Sequence, residues 1–249
     1  MSHEKIENKV ALITGGSEGI GFGIAKTFAE AGAKVVITGR DMNKLEAAKE
    51  KLGSQVLMMS ADITQVKLCA DTLNTVLKKF RKLDILVNNA GVGIYKPVSQ
   101  TTIEDFDLMF NTNVRGLFAL TQACIPELKK TRGNIINIGS VLGMRGMPVY
   151  SVYSASKAAV IMLTQLWAKE LAPDVRVNSI SPGGVDTPAF VRMYGEEKKQ
   201  QVLEFISGHH LMKRVGQPDD IGRMALYVAT ENWITGSNFV VDGGLSYLV

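Results

Sequence analysis

The chain has 249 residues, of which 46% are hydrophobic and 21% are charged. This composition is that of an ordinary globular protein and excludes disordered and collagen-like chains, while the length suits one large open α/β sheet. The net charge of +4 and the basic stretches at residues 78–82 and 129–132 would fit nucleic acid. They are better interpreted as the last turns of helices, where cations complement the helix dipole. We therefore predict no nucleic-acid partner.

The first residues are charged and lack the apolar segment of a signal peptide. No apolar run is long enough to cross a bilayer, so we predict a cytoplasmic protein without membrane contact. The two cysteines, Cys69 and Cys124, lie in stretches with helical character. They are interpreted as reduced, buried thiols rather than as a disulfide framework.

Seven short β-branched runs alternate with helical stretches. They cover residues 10–14, 35–38, 55–60, 85–88, 134–138, 175–180 and 238–241. Most are continuously apolar, which is typical of strands covered on both faces, and the intervening helices make the strands parallel. No linker or repeat interrupts the pattern. It predicts a doubly wound, seven-stranded parallel α/β sheet in a single domain spanning residues 1–249.

One departure from this rhythm is a longer amphipathic insert at about residues 187–216. Ligands of such folds lie beyond the carboxyl ends of the strands, which is where this insert begins. We therefore predict that it forms a small lid over the substrate.

The first strand leads into a glycine-rich turn, T-G-G-S-E-G-I-G at residues 14–21, and then into a helix. Gly15 permits the tight turn, while Gly19 and Gly21 let backbone amides and the helix N-terminus approach a pyrophosphate. This order of strand, turn and helix predicts a dinucleotide site.

The second strand ends at Arg40, where the ribose of a dinucleotide would lie. No acidic residue is present there to bind a free 2′-hydroxyl, whereas Arg40 can hold a 2′-phosphate and Ser17 can add a hydroxyl. Glu18 opposes this interpretation, because its carboxylate would repel the phosphate. An exposed arginine beside Asp41, the N-cap of the next helix, is the alternative. We predict NADP(H) over NAD(H).

Three residues in the second half of the chain have a joint chemical use. Tyr153 and Lys157 are spaced i,i+4 on one helical face, and Ser140 follows the fifth strand. An ammonium and a cationic nicotinamide both favour the phenolate, so Tyr153 can exchange a proton with a substrate oxygen that Ser140 holds. Taken singly, the three residues would be explained by packing, a solvated face and a turn. Together they predict an oxidoreductase that interconverts a ketone and a secondary alcohol.

A set of motifs resembles the short-chain dehydrogenase/reductase family over essentially the whole chain, closest in pattern to 3-oxoacyl-acyl-carrier-protein reductases and related carbonyl reductases. The motifs are T-G-x-x-x-G-x-G at 14–21, Asp62, N-N-A-G at 88–91, Asn113, Ser140, Y-x-x-x-K at 153–157, S-P-G at 181–183 and D-G-G at 242–244. The resemblance implies a Rossmann-type fold. The segment 211–214 lacks the proline-leucine pair common in the family, so the end of the lid is expected to differ in shape.

The resemblance also implies roles for four catalytic residues. Tyr153 is the acid/base, Lys157 holds the nicotinamide ribose and lowers the tyrosine pKa, Ser140 orients the substrate, and Asn113 supports a water-linked proton relay. The predicted cofactor-binding residues are Gly15, Ser17, Gly19, Ile20, Gly21, Arg40, Asp62, Ile63, Asn89, Ala90, Gly91, Tyr153, Lys157, Pro182, Gly183, Val185 and Thr187.

Two other classes of function compete with this one. A zinc-dependent alcohol dehydrogenase needs a ligand cluster, but His3 lies in the N-terminal tail, and the adjacent His209 and His210 would point apart and are interpreted as lid-surface residues. We therefore predict no metal. A non-catalytic dinucleotide sensor is possible on this fold, but the presence of the whole catalytic set favours an enzyme.

The predicted substrate lining is apolar and adaptable. It comprises Ile94, Tyr95, Met144, Met147, Val149, Phe190, Met193 and Tyr194. By resemblance, reduction of a 3-oxoacyl thioester is the leading reaction, with hydroxysteroid, sugar or simple alcohol oxidation as alternatives. The helix after Tyr153 is apolar on more than one face, and similar proteins assemble through it, so we predict a homotetramer.

Overall fold

The computed structural model describes residues 6–247, without the side chains of residues 193, 194 and 247. Seven strands in this range form one parallel sheet in the order β3-β2-β1-β4-β5-β6-β7, which confirms the predicted fold class. The strands are β1 (Val10–Thr14), β2 (Lys34–Gly39), β3 (Leu57–Ser60), β4 (Ile85–Asn88), β5 (Asn134–Ile138), β6 (Arg176–Pro182) and β7 (Asn238–Val241).

Nine α-helices lie within the described range. They are α1 (Gly19–Glu30), α2 (Met42–Leu52), α3 (Cys69–Phe80), α4 (Ile103–Phe110), α5 (Leu117–Thr131), α6 (Ser151–Leu171), α7 (Pro188–Tyr194), α8 (Glu196–His209) and α9 (Pro218–Thr230). Helices α7 and α8 occupy the predicted insert. Across residues 6–247, no helix is both long enough and apolar enough to span a membrane.

The core lies in two layers, one on each face of the sheet. Successive residues of β1 alternate between them: Ala11 and Ile13 belong to the layer under α1, α2 and α9, whereas Val10 and Leu12 belong to the layer under α3, α5 and α6. Side chains of a strand point alternately to opposite faces. Because helices cover both faces, all five residues of β1 are buried.

Several local predictions agree with the fold. The basic stretches end α3 and α5, with Lys78 and Lys129 in the last turns. Cys69 and Cys124 are free and buried, and burial raises the pKa of Cys124 to about 12. The third strand begins at Leu57 rather than at residue 55, because Gly53 has a φ of 99° and a turn bond joins the Val56 amide to its carbonyl.

A ladder of buried polar side chains joins the sheet to two helices. Asn88 donates its side-chain amide to Asn137 at 2.8 Å and to Thr121 of α5 at 2.9 Å. Asn137 in turn donates to the Thr164 hydroxyl of α6 at 2.9 Å. A buried polar group without a partner costs about 1–3 kcal/mol. The ladder therefore fixes how α6, which carries Tyr153 and Lys157, lies on β4 and β5.

Candidate active site

The glycine-rich turn connects β1 to α1. Gly15 and Gly19 have φ values of 64° and 59°, a region that glycine adopts without strain. The residue before α1, Glu18, makes no capping bond with its side chain. The first amides of α1 are thus left without a side-chain acceptor at a helix end that attracts anions, and the turn fits a pyrophosphate.

Gly21 also has a packing role that its sequence position did not predict. A Cβ at this position would overlap the Gly15 carbonyl oxygen and the Asn89 side-chain nitrogen. Gly21 therefore lets α1 pack closely on its own turn and on the end of β4. A close approach of cofactor is not needed to explain it.

The end of β4 is tied to the same turn by side chains. Asn89 donates its amide nitrogen to the carbonyls of Thr14 and Gly15, at 2.8 and 3.0 Å. The Thr14 hydroxyl accepts from the backbone amides of Asn89 and Ala90, both at 3.0 Å. This role of Thr14 was not predicted, although the T-G pair at the end of β1 is its signal in the sequence. The side chain of Asn89 thus binds backbone carbonyls of the glycine-rich turn and holds it against the end of β4.

Asn113 lies in a π-helical turn, Asn111–Gly116, between α4 and α5. Such turns recur at functional sites. Its side chain accepts from the Val92 amide at 2.8 Å and donates to the Val92 carbonyl and the Ser156 hydroxyl, both at 2.9 Å. Asn113 therefore holds the segment after Gly91 against α6. Its partner there is Ser156, which was not among the predicted site residues.

Lys157 is 5% exposed, which contradicts the solvated-face interpretation. Its ammonium donates to the Ile138 carbonyl at the end of β5, at 2.8 Å, and lies 5.9 Å from the ring centroid of Tyr153. A Cβ on Gly91 would lie 3.5 Å from the ammonium nitrogen. Burial lowers the pKa of Lys157 to about 8.

Tyr153 and Ser140 are hydrogen-bonded to each other through their side chains. The Ser140 oxygen also accepts from the Leu142 amide at 3.2 Å. Burial raises the pKa of Tyr153 and the bond to Ser140 lowers it, with the net direction upward. The pKa thus lies above its ordinary value, so the predicted lowering depends on a cationic nicotinamide beside the phenol.

The residues predicted for the adenosine end lie around the end of β2. Arg40 is exposed, and in the described range it has no hydrogen bond or ion pair. A Cβ on Gly39 would lie 3.3 Å from the Ser17 hydroxyl. Ser17 therefore lies beside the end of β2, which Arg40 follows. Asp41 caps α2 through the Lys44 amide at 3.2 Å, as the alternative interpretation of Arg40 expected.

Glu18 is paired with two cations. Its carboxylate contacts Lys44 of α2 at 2.9 Å and also Arg192 of α7. Partial burial acts to raise the pKa of Glu18, but these two cations outweigh it and hold the pKa below its ordinary value. The repulsion expected between Glu18 and a 2′-phosphate is therefore reduced.

The remaining predicted cofactor residues also lie at the carboxyl edge of the sheet. Asp62 accepts from the Thr64 amide and hydroxyl at 2.9 and 2.8 Å, and the Ile63 carbonyl lies against Gly116. Pro182 ends β6, and the Gly183 amide donates to Val241 of β7 at 3.1 Å. Val185 pairs with Gly216. Thr187 lies next to Gly19, where a Cβ would be 3.3 Å from it.

The predicted substrate lining is described only in part. The ring of Tyr95 lies 5.7 Å from that of Tyr153. Three further residues lie between β5 and α6, and each is about two-fifths exposed: Met144, Met147 and Val149. The side chains of Met193 and Tyr194 lie outside the described residues.

The prediction of two lid-surface histidines is wrong for His210. His209 is exposed, but His210 is 1% exposed, because the end of α8 places its ring between Gly184, after β6, and Gly243, after β7. His3 lies outside the described residues. Among residues 6–247, no three His, Cys, Asp or Glu side chains gather as a metal site would need.

Comparison with known proteins places the chain in a family. A profile described as enoyl-(acyl carrier protein) reductase matches residues 15–246. The 3-oxoacyl-[acyl-carrier-protein] reductase FabG of Thermotoga maritima is 34% identical over 97% of this chain and 99% of its own. The chain belongs to the short-chain dehydrogenase/reductase family. The predicted membership is thus confirmed.

Other members agree with this assignment. A short-chain dehydrogenase/reductase from Brucella melitensis, described as a glucose/ribitol dehydrogenase, superposes with a TM-score of 0.90 at 29% identity, over 98% of this chain and 99% of that one. A cyclopentanol dehydrogenase of Comamonas sp. is 34% identical over 96% of this chain and 98% of its own. The protein is therefore a dehydrogenase/reductase, and its family implies a nicotinamide dinucleotide cofactor.

Replacing the buried ammonium should change how stability depends on pH. The pKa of Lys157 is about 8 in the folded chain and about 10.4 when unfolded, so between these values the folded state binds fewer protons. Compared with Lys157→Met, the unmodified protein should gain about 2 kcal/mol of unfolding free energy as the pH rises from about 7 to 10. Urea unfolding of both proteins across that range measures it. A difference that stays constant with pH would contradict the assignment.

Proposed function

We propose that this protein is an NADP(H)-dependent reductase of ketones, with 3-oxoacyl thioesters as the leading substrate class, and that it also catalyses the reverse oxidation. The proposal rests on one observation above all: the buried ammonium of Lys157 lies beside the ring of Tyr153, whose phenol is bonded to Ser140. The nicotinamide, when bound, supplies or takes up the hydride.

Tyr153 and Ser140 act on the same substrate oxygen. Their mutual hydrogen bond brings both hydroxyls to one point, from which each can donate to a carbonyl oxygen. During reduction Tyr153 gives its proton to that oxygen as negative charge develops there, and during oxidation it removes the proton. A phenol whose pKa is raised by burial stays protonated at neutral pH, which suits an acid.

Lys157 and Asn113 support this step. The ammonium stabilises the tyrosinate that proton donation leaves, and Lys157 is also suited to hold the nicotinamide ribose. Asn113 keeps the segment after Gly91 in place through Val92, next to the ammonium. In the proposal this arrangement supports a water-linked relay that returns a proton to Tyr153.

The preference for NADP(H) rests on charge at the end of β2. Arg40 is exposed and has no partner among the described residues, Ser17 lies nearby, and Glu18 is neutralised by Lys44 and Arg192. A 2′-phosphate would therefore meet a net positive surface. The glycine turn, the ends of β3, β4 and β6, and Thr187 complete the proposed cofactor site.

The proposal covers the organisation of the chain as well. It treats the chain as a single domain and residues 187–216 as a lid, because α7 and α8 follow the carboxyl end of β6. It also assumes a cytoplasmic protein without membrane or nucleic-acid partners, consistent with two free, buried cysteines.

Other substrate classes remain as alternatives to 3-oxoacyl thioesters. The relative that is a cyclopentanol dehydrogenase keeps simple alcohols as the main alternative, followed by hydroxysteroids and sugars. A non-catalytic dinucleotide sensor is disfavoured, because it would not need a phenol bonded to a hydroxyl beside a buried ammonium. Initial rates with a panel of ketones and alcohols and both cofactors distinguish these functions.

Assembly is proposed through α5 and α6. Met162 and Leu166 of α6 are 54% and 43% exposed. Phe118 of α5 is 43% exposed, and its ring lies 6.1 Å from that of Trp167 on α6. Exposed apolar side chains that cluster mark interaction surfaces. We propose that a second copy covers them in a two-fold symmetric homotetramer.

Removing the phenolic hydroxyl should abolish turnover while sparing cofactor binding. Tyr153→Phe loses only the exchangeable proton, and general acid catalysis contributes about 10²- to 10⁴-fold, so kcat should fall by at least that range. Cofactor affinity should change little, whereas Lys157→Ala should reduce both. Steady-state rates and fluorescence titration measure the two effects. If Tyr153→Phe kept most of its kcat, the mechanism would have to be abandoned.

Removing the guanidinium at the end of β2 should weaken NADPH selectively. A charge-assisted hydrogen bond contributes roughly 1.5–3 kcal/mol, so Arg40→Ala should weaken NADPH by about ten- to a hundredfold and leave NADH little changed. Lys49→Ala, on α2, is the matched control for losing one positive charge. Dissociation constants at fixed ionic strength decide it, and equal weakening of both cofactors would remove the support for NADP(H).

A charge on the exposed apolar face of α6 should disrupt assembly. Leu166→Glu would bury a carboxylate in the proposed contact, which is strongly unfavourable. The variant should have a lower mass than the unmodified protein by light scattering at micromolar concentration, while Thr75→Glu, at an exposed position of α3, should not. A monomeric mass for the unmodified protein would refute the tetramer.

A further inference from the structure

The segment after Gly91 contacts the catalytic helix through an aromatic ring. Tyr95 lies 5.7 Å from Tyr153 between ring centroids, with the planes at 69°, so the two rings meet edge to face. On its other side Tyr95 lies 4.6 Å from Tyr150. The ring of Tyr95 thus lies between Tyr150, which precedes α6, and Tyr153, in the first turn of α6.

Both ends of this segment are held by hydrogen bonds. At one end Asn113 binds the amide and the carbonyl of Val92. At the other end the Lys96 amide donates to the Val149 carbonyl at 3.0 Å. Between them, the hydroxyl of Tyr95 lies over Gly93, where a Cβ would overlap it. The backbone is therefore anchored before and after Tyr95, at Val92 and Lys96, and this fixes the position of its ring.

The backbone next to α6 is strained at Val149. This β-branched residue has a φ of 67°, in the left-handed region that such residues rarely adopt. Strain of this kind persists only where neighbouring contacts enforce it, and it clusters at functional sites. The bond from Lys96 is one such contact. The segment that carries Tyr95 thus also fixes the start of the helix that carries Tyr153.

We infer that Tyr95 is a positioning residue for the reaction: its ring holds the phenol of Tyr153 against Ser140 and shields that phenol from water. Edge-to-face packing against Tyr95 restricts the rotation of the Tyr153 ring. A displacement of about 1 Å at a reacting group can cost about a hundredfold in rate. The inference rests on the proposed role of Tyr153.

The test compares three substitutions of Tyr95 in the cofactor-loaded enzyme. Tyr95→Ala and Tyr95→Leu remove the ring, and each should lower kcat by about ten- to a hundredfold while the cofactor dissociation constant stays within about twofold. Tyr95→Phe keeps the ring and should restore most of the loss. Phe106→Ala is the control: it removes a ring stacked at 4.5 Å on Phe110 of α4, outside the site, and should leave kcat unchanged.

A second readout separates positioning from general loss of structure. Burial raises the pKa of Tyr153, so opening its surface to water in Tyr95→Ala should lower the apparent pKa in the pH profile of kcat, whereas Tyr95→Phe should not. Thermal unfolding identifies any variant that does not fold, and Tyr95→Leu, which keeps apolar bulk, then decides.

Three outcomes are informative. A reduced kcat with a shifted pH profile in the ring-deleting variants, rescued by Tyr95→Phe, supports the inference. Unchanged kcat and an unchanged profile in folded Tyr95→Leu, with Tyr153→Phe inactive, would overturn it and leave the proposed function intact. If Tyr153→Phe were itself active, the proposed function would fail first, independently of Tyr95.

Discussion

The buried ammonium of Lys157 is the constraint from which the site is built. A charged group 5% exposed needs a partner, because an unpaired charge in an apolar setting is very costly. The Ile138 carbonyl provides that partner at 2.8 Å. The bond joins α6 to the carboxyl end of β5. One turn of helix then brings Tyr153 to Ser140, which lies two residues after this strand end.

Side chains that satisfy backbone groups hold the rest of the site. Asn89 joins the end of β4 to the glycine turn, and Asn113 joins the following segment to α6. Asp242 stabilises the loop after β7 locally, where it accepts from the Gly244 and Ser246 amides at 2.9 and 2.7 Å. The backbone amides and carbonyls of loops beyond the strands lack the hydrogen-bond partners that a sheet provides. These carboxamides and this carboxylate bind them instead and so give each loop one defined conformation.

Ion pairs of Glu18 connect the glycine-rich turn to the proposed lid. Glu18 contacts Lys44 on α2 and Arg192 on α7, so one carboxylate joins three separate elements. Exposed ion pairs contribute little energy each, about 0–1 kcal/mol. Their effect here is on charge: Glu18, the residue most opposed to a 2′-phosphate, becomes part of a cluster with one net positive charge beside Arg40.

Local patterns in the sequence determined the parallel sheet and the bounds of β1, β4, β5 and β7, and they selected Tyr153, Lys157 and Ser140, which the structure brings together. Apolar runs report burial on both faces, and i,i+4 spacing reports a shared helical face, so neither requires knowledge of distant partners. Only the tertiary structure decided the packing role of Gly21, the burial of His210, the ion pairs of Glu18 and the π-helical turn around Asn113. Each of these depends on which atoms from remote parts of the chain meet the residue, and the local periodicity of a sequence carries no information about those contacts.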